Sequence, residues 1–142
     1  MISKQRKVFY VFLVVAALAA AIGTPGIVEG YRQKKAVDSA FKAYSEALRS
    51  GDYAKAFQFC GEAFKESISY EEFVKQQREA TSNLGRLETM DRKGIFVHGK
   101  GSSMRWVAVI ETLQVYERGN VHLVCEFHLE NDSWKLFGCQ RI

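Results

Sequence analysis

The chain has 142 residues, 47% hydrophobic and 13% aromatic, with a formal net charge of +4. That length leaves room for one domain behind a short leader, and a single proline with no low-complexity tract argues against an extended disordered region. The charge is uneven: residues 1–35 hold six of the 20 Lys and Arg and one acid, Glu29, for +5, while the rest sets 14 cations against 15 acids. The body of the chain is therefore near neutral, which argues against a nucleic-acid partner.

At the amino terminus Lys4, Arg6 and Lys7 lead into the uncharged apolar run VFYVFLVVAALAAAI at residues 8–22. A basic segment followed by an apolar one addresses a chain to a membrane. Fifteen residues are short for a bilayer crossing, which needs ~20, but residues 23–28 extend the uncharged stretch to 21. The expectation is a membrane helix at residues 8–28 within an anchor or signal segment at 1–30. The small residues at 16–21 keep a cleaved signal, and hence a secreted domain, as the alternative. An uncleaved anchor is preferred because no polar segment follows the run and a helical pattern resumes after Gly30. Arg32, Lys34 and Lys35 flank the far side, so charge alone orients the segment weakly. A signal-like leader ahead of a domain that can be translocated places the domain on the extracytoplasmic side, as a single-pass protein close against the bilayer.

The domain is expected at residues 31–142. Residues 31–50 read as a helix, with Val37, Ala40, Phe41, Tyr44, Ala47 and Leu48 on one stripe. Gly51 suits its C-terminal cap, and Asp52 the N-cap of a second helix carrying Tyr53, Ala56, Phe57, Cys60 and Phe64. Ser69 with Glu72 three residues on is a capping box for a third helix, which buries Phe73 and ends near residues 83–85.

From Arg86 the period changes to two. Strands are expected at residues 95–97, with an earlier piece at 86–90, and at 105–116, 121–129 and 134–140, with the loop GKGSS at 99–103. Reading Glu117-Arg118-Gly119 as a three-residue hairpin loop with Gly119 left-handed pairs Tyr116 with Asn120, Val115 with Val121, Leu113 with Leu123, Glu111 with Cys125 and Val107 with Leu129. The turn Asn131-Asp132 pairs Glu130 with Ser133, Leu129 with Trp134, Phe127 with Leu136 and Cys125 with Gly138. In that register Cys125 and Cys139 point to opposite faces, so no disulfide is expected, and the three cysteines read as buried thiols. The fold class is α+β: a membrane helix, then about three helices on a curved antiparallel sheet of about four strands.

The stretches AFKAYSEALRSGDYAKAFQFC, SISYEEF, GRLE and NDSWKLFGCQ resemble the nuclear-transport-factor-2-like (cystatin-like) superfamily, above all its small bacterial exported or membrane-anchored members, over residues 33–142. The resemblance implies a cone whose helices wrap the concave face of the sheet and whose open end can hold a pocket. It implies little about activity, because the superfamily hosts enzymes, ligand binders and scaffolds.

Glu111 is the sharpest candidate for chemistry. The expected register puts its carboxylate on the apolar face, where desolvation would raise its pKa toward that of a general base. The isomerases of this fold pair such an acid with a tyrosine, and Tyr44 is the candidate partner, with Tyr53 second. His98, His122 and His128 lie in or beside strands, the last two on the face opposite Leu123 and Phe127. No metal signature, dinucleotide fingerprint, phosphate loop or nucleophile elbow occurs, so neither metal nor cofactor is expected. The preferred function is a membrane-tethered binding module for a protein partner or a small apolar ligand. The alternatives are a small isomerase or dehydratase using Glu111, and a structural subunit of a cell-envelope assembly.

Overall fold

A computed structural model describes the backbone of residues 4–100 and 105–142 and the side chains of 26–99 and 105–142. The chain divides into two compact units, Met1–Arg32 and Gln33–Ile142. Helix α1 (Lys4–Arg49) covers both helical stretches expected at 8–28 and 31–50. The side chains of the apolar run at 8–22 lie outside the described residues. Among the described residues no helix is long and apolar enough to cross a membrane.

In the second unit the stripe on α1 is buried as its spacing requires: Val37, Phe41, Tyr44, Ala47 and Leu48 all belong to the core. Gly51 leaves the helix at φ +76°, and the Asp52 carboxylate accepts from the Lys55 amide at 3.1 Å to start α2 (Tyr53–Gln58). The expected second helix is broken in two. Residues Phe59 to Gly61 leave helical geometry to pair with the last strand: the Gly61 amide donates to the Leu136 carbonyl at 2.8 Å, and the Leu136 amide to the Phe59 carbonyl at 2.7 Å. An edge strand offers backbone groups that need partners, and this short rung supplies them. The helix resumes as α3 (Glu62–Ser67), so the described residues form four helices where three were expected in the domain. Ser69 caps α4 (Tyr70–Leu84) through the Glu72 amide, and Gly85 ends it at φ +83°.

The strands β1 (Leu87–Lys100), β2 (Arg105–Tyr116), β3 (Gly119–Glu130) and β4 (Ser133–Arg141) form one antiparallel sheet in chain order. β1 is continuous through the two pieces expected, with irregularities at Leu87/Thr89 and Arg92/Gly94; such bulges bend a sheet around its core. Residues 101–104 of the expected loop lie outside the described residues.

The β2–β3 register differs from expectation by one residue. Tyr116 pairs with Gly119, Gln114 with Val121, Thr112 with Leu123, Glu111 with Val124, Ile110 with Cys125 and Ala108 with Phe127. The loop is two residues, Glu117 and Arg118, and Gly119 has no positive φ. A contact absent from the local sequence sets the turn: the Glu117 amide donates to the Arg86 carbonyl at 3.1 Å and the Arg118 amide to the Leu84 carbonyl at 2.8 Å, at the end of α4. The Gly119 signal is real but has another cause, since a Cβ there would meet Leu84 at 3.2 Å.

The β3–β4 register follows expectation from Glu130–Ser133 to Phe127–Leu136. A bulge at Phe137 then adds a residue to β4, so that Cys125 faces Cys139 instead of Gly138. The two cysteines form a disulfide, correcting the expectation of none, and Cys60 remains a buried free thiol. The disulfide closes a loop of 14 residues, which chain entropy values at about 3 kcal/mol. A Cys125→Ala/Cys139→Ala variant should therefore unfold at lower denaturant concentration than the wild type, and reductant should lower the wild-type midpoint while leaving the variant's unchanged. A reductant-insensitive wild type would count against the bond.

Candidate functional site

The inner face of the sheet carries Ala108, Ile110, Cys125, Phe127 and Leu136 against the α1 stripe, with Phe41 and Tyr44 both edge-on to Phe127 at 6.4 Å. This packing fills one end of the cone. Elsewhere α4 and the sheet border a half-open cavity of about 570 Å³. Phe64, Phe73, Leu84, Val121, Leu123 and Leu136 supply its apolar wall. Tyr44, Gln114 and Tyr116 supply polar groups, and Arg141 and Cys139 border the cavity from the last strand. Among the described residues no carboxylate or imidazole lines it. A second depression, about 530 Å³, is bordered by α4 residues alone, between Tyr70 and Asn83, and is an open helix face rather than an enclosure.

Tyr44 is 4% exposed, and its hydroxyl has no hydrogen-bond partner among the described residues. Burial pushes its phenol far above the ordinary 10.0, and the neighbouring Cys60 and Tyr116 add to the rise. Burial also raises Tyr116, with Tyr53 adding, and its hydroxyl donates to Gln114 Oε1 at 3.3 Å. The Gln114 amide nitrogen meets only the weak acceptor Met90 Sδ, at 3.8 Å. Both phenols thus stay protonated and can serve a guest as hydrogen-bond partners. Behind them, burial pushes the Cys60 thiol up to about 12 against the opposing pull of Lys65 and Lys135.

The one-residue register difference decides the fate of Glu111. Its carboxylate lies on the outer face, half exposed, 3.0 Å from His122 Nε2, and the sheet separates it from Tyr44. The expected pairing of Glu111 with Tyr44 inside the cone is corrected on that ground. Tyr44 does reach the cavity, whereas Tyr53 packs at the edge of the core. His122 and His128 lie on the outer face as expected. His98 joins them, opposite Val107, and His128 stacks on Phe137 at 4.2 Å beside Glu126. Val107 is 4% exposed yet stands apart from the inner core, between these two histidines in the ladder. Among the described residues no cluster of three or more His, Cys, Asp or Glu is placed to hold a metal.

Gln114, Tyr116 and Arg141 were not legible as site residues. Alternation along β2 was the available signal, but it places Gln114 inside only once the correct register is known.

The raised Cys60 and tyrosine values make stability depend on alkaline pH. In the unfolded chain Cys60 ionises near 9.0, while in the folded chain it holds its proton to about 12. The folded state therefore binds more protons above pH 9, and its stability should fall as pH rises from 9 to 12, by at most about 1.4 kcal/mol per pH unit for each such group. Cys60→Ala should flatten the decline most between pH 9 and 10, where the tyrosines contribute less than the thiol. An unchanged slope in denaturation curves would show that Cys60 is not the group responsible.

No family model and no curated protein matches the chain. Solved structures do. Bd1075 of Bdellovibrio bacteriovorus superimposes with a TM-score of 0.55 at 10% identity, over 74% of this chain and 38% of that one, so this chain spans well under half of its length. A Nostoc punctiforme protein of unknown function with a cystatin-like fold gives 0.58 at 10% identity, over 76% of this chain and 88% of that one. A candidate dehydratase of the NTF2-like family from Streptomyces avermitilis gives 0.48 at 14% identity, over 76% and 93%. At these identities the likeness is one of fold: the chain has a cystatin-like α+β architecture.

Proposed function

We propose that this protein is a membrane-tethered, extracytoplasmic, non-catalytic module that binds a small apolar ligand in the cavity between α4 and the sheet. The observation that carries the reading is the cavity itself. Its volume of about 570 Å³ falls within the ~300–1,000 Å³ typical of small-molecule sites, and its wall is apolar with a few inward polar groups. Acid–base catalysis needs a titratable pair within reach of the guest at working pH. The cavity offers two phenols that burial holds in the protonated form, and Glu111 stands on the opposite face. Support for the tether comes from the leader at residues 8–28 with its flanking cations. Support for the compartment comes from the Cys125–Cys139 disulfide, a bond that persists in oxidising surroundings.

The neutral apolar probe N-phenyl-1-naphthylamine should bind the wild type with enhanced fluorescence. Ala80 lines the cavity from α4, so Ala80→Phe should fill it and weaken that binding at least tenfold. Absence of binding to the wild type, or unchanged affinity in an Ala80→Phe variant with a native circular dichroism spectrum, would refute the ligand site. Alkaline phosphatase fused after Ile142 should be active in cells. A fusion that is inactive, while a cytoplasmic reporter at the same point is active, would reverse the orientation.

A further inference from the structure

The binding reading leaves the chemical class of ligand open, and the charges around the cavity narrow it. Among the described residues Arg141 is the single charged one that lines the cavity. It lies on β4 opposite Leu123, at the solvent-facing end of an apolar wall that runs inward through Val121, Leu123, Leu136 and Phe73. Among the described residues its guanidinium has neither an ion-pair partner nor a hydrogen-bond partner. Two other cations of the domain are bonded elsewhere: Lys135 donates to the Gln58 carbonyl at 2.9 Å, and Arg118 to the Ser82 carbonyl at 3.0 Å. The remaining polar lining is neutral amide and phenol, from Gln76, Gln77, Asn83, Gln114 and the two tyrosines.

An unpaired guanidinium at the rim of an apolar cavity, with no acid in the lining, favours an anion and disfavours a cation. A guanidinium fork donates two parallel hydrogen bonds to a carboxylate or phosphate. The apolar wall behind it requires that the anion carry an apolar body. We infer that the ligand is an anionic amphiphile, its chain or ring system against Phe73, Leu123 and Leu136 and its head group on Arg141. Gln114 and the Tyr44 hydroxyl lie deeper and can bond a second polar group on the body of the guest. The inference rests on the binding reading above and assigns its ligand class.

The test compares decanoate, decyl phosphate, decanol, decyltrimethylammonium and inorganic phosphate as competitors of N-phenyl-1-naphthylamine on the full chain in detergent. Decanoate or decyl phosphate should compete about five- to tenfold more strongly than decanol, and decyltrimethylammonium more weakly than decanol. Inorganic phosphate at the same concentration should not compete. Arg141→Gln keeps a hydrogen-bonding side chain and removes the charge. It should abolish the preference for the anionic head while leaving decanol affinity within about twofold, which also reports that the cavity is intact. Equal competition by decanol and decanoate would overturn the inference and leave the ligand site standing. So would a preference for decanoate that survives in Arg141→Gln, or displacement by inorganic phosphate alone. Failure of every decyl compound to compete would remove both.

Discussion

The amides of Glu117 and Arg118 donate to the carbonyls of Arg86 and Leu84, and the positions of the other groups in the sheet depend on those two bonds. Carbonyls at the end of a helix lack intrahelical partners, and here the tip of a hairpin supplies a donor to one of them. Glu117 tightens the joint by accepting the Arg86 amide at 3.0 Å, while Gly85 turns the chain beneath it. With the tip held in this way the loop has two residues, and a Cβ at Gly119 would sit 3.2 Å from Leu84, so that any larger residue requires the leucine side chain to give way. Because side chains alternate across a sheet, this choice selects the face of every residue on β2. It turns Ile110, Thr112, Gln114 and Tyr116 toward the helices and Glu111 toward the outside.

A similar accommodation occurs at the other end of the sheet. β4 is an edge strand, and the chain leaves helical geometry between α2 and α3 to satisfy its backbone at Leu136. One residue further along, the bulge at Phe137 reverses the alternation, so that Cys139 comes to face Cys125 and Arg141 comes to face Leu123. The disulfide and the charged rim of the cavity are both products of that one extra residue. The bulge also leaves Phe137 on the outer face, where it stacks on His128.

The inner face is not uniformly apolar, and its polar residues Gln114 and Tyr116 line the cavity. Where Phe41 and Tyr44 meet Phe127 the layers pack closely, and where Gln114 and Tyr116 follow on β2 they do not. Tyr44 stands at the boundary, with its ring in the core and its hydroxyl unpartnered. A hydroxyl that borders a cavity without a protein partner is free to bond a guest.

Much of the fold was legible because its signals are local. The stripe on α1, the Asp52 and Ser69 caps, the positive φ at Gly51 and Gly85 and the Asn131-Asp132 turn each depend on residues a few positions apart, and each is found as expected. The inner face of β3 was legible for the same reason, since Cys125 and Phe127 alternate with His122 and His128. The candidate site was legible only at Tyr44. By itself the sequence determined the element order, the α+β class, the helix stripes and the caps, because periodicity and capping are short-range properties of the chain. Only the tertiary structure decided the register of β2, the bulge in β4, the disulfide and the membership of the cavity, because each follows from a backbone contact between residues far apart in the chain, and a shift of one residue exchanges the faces.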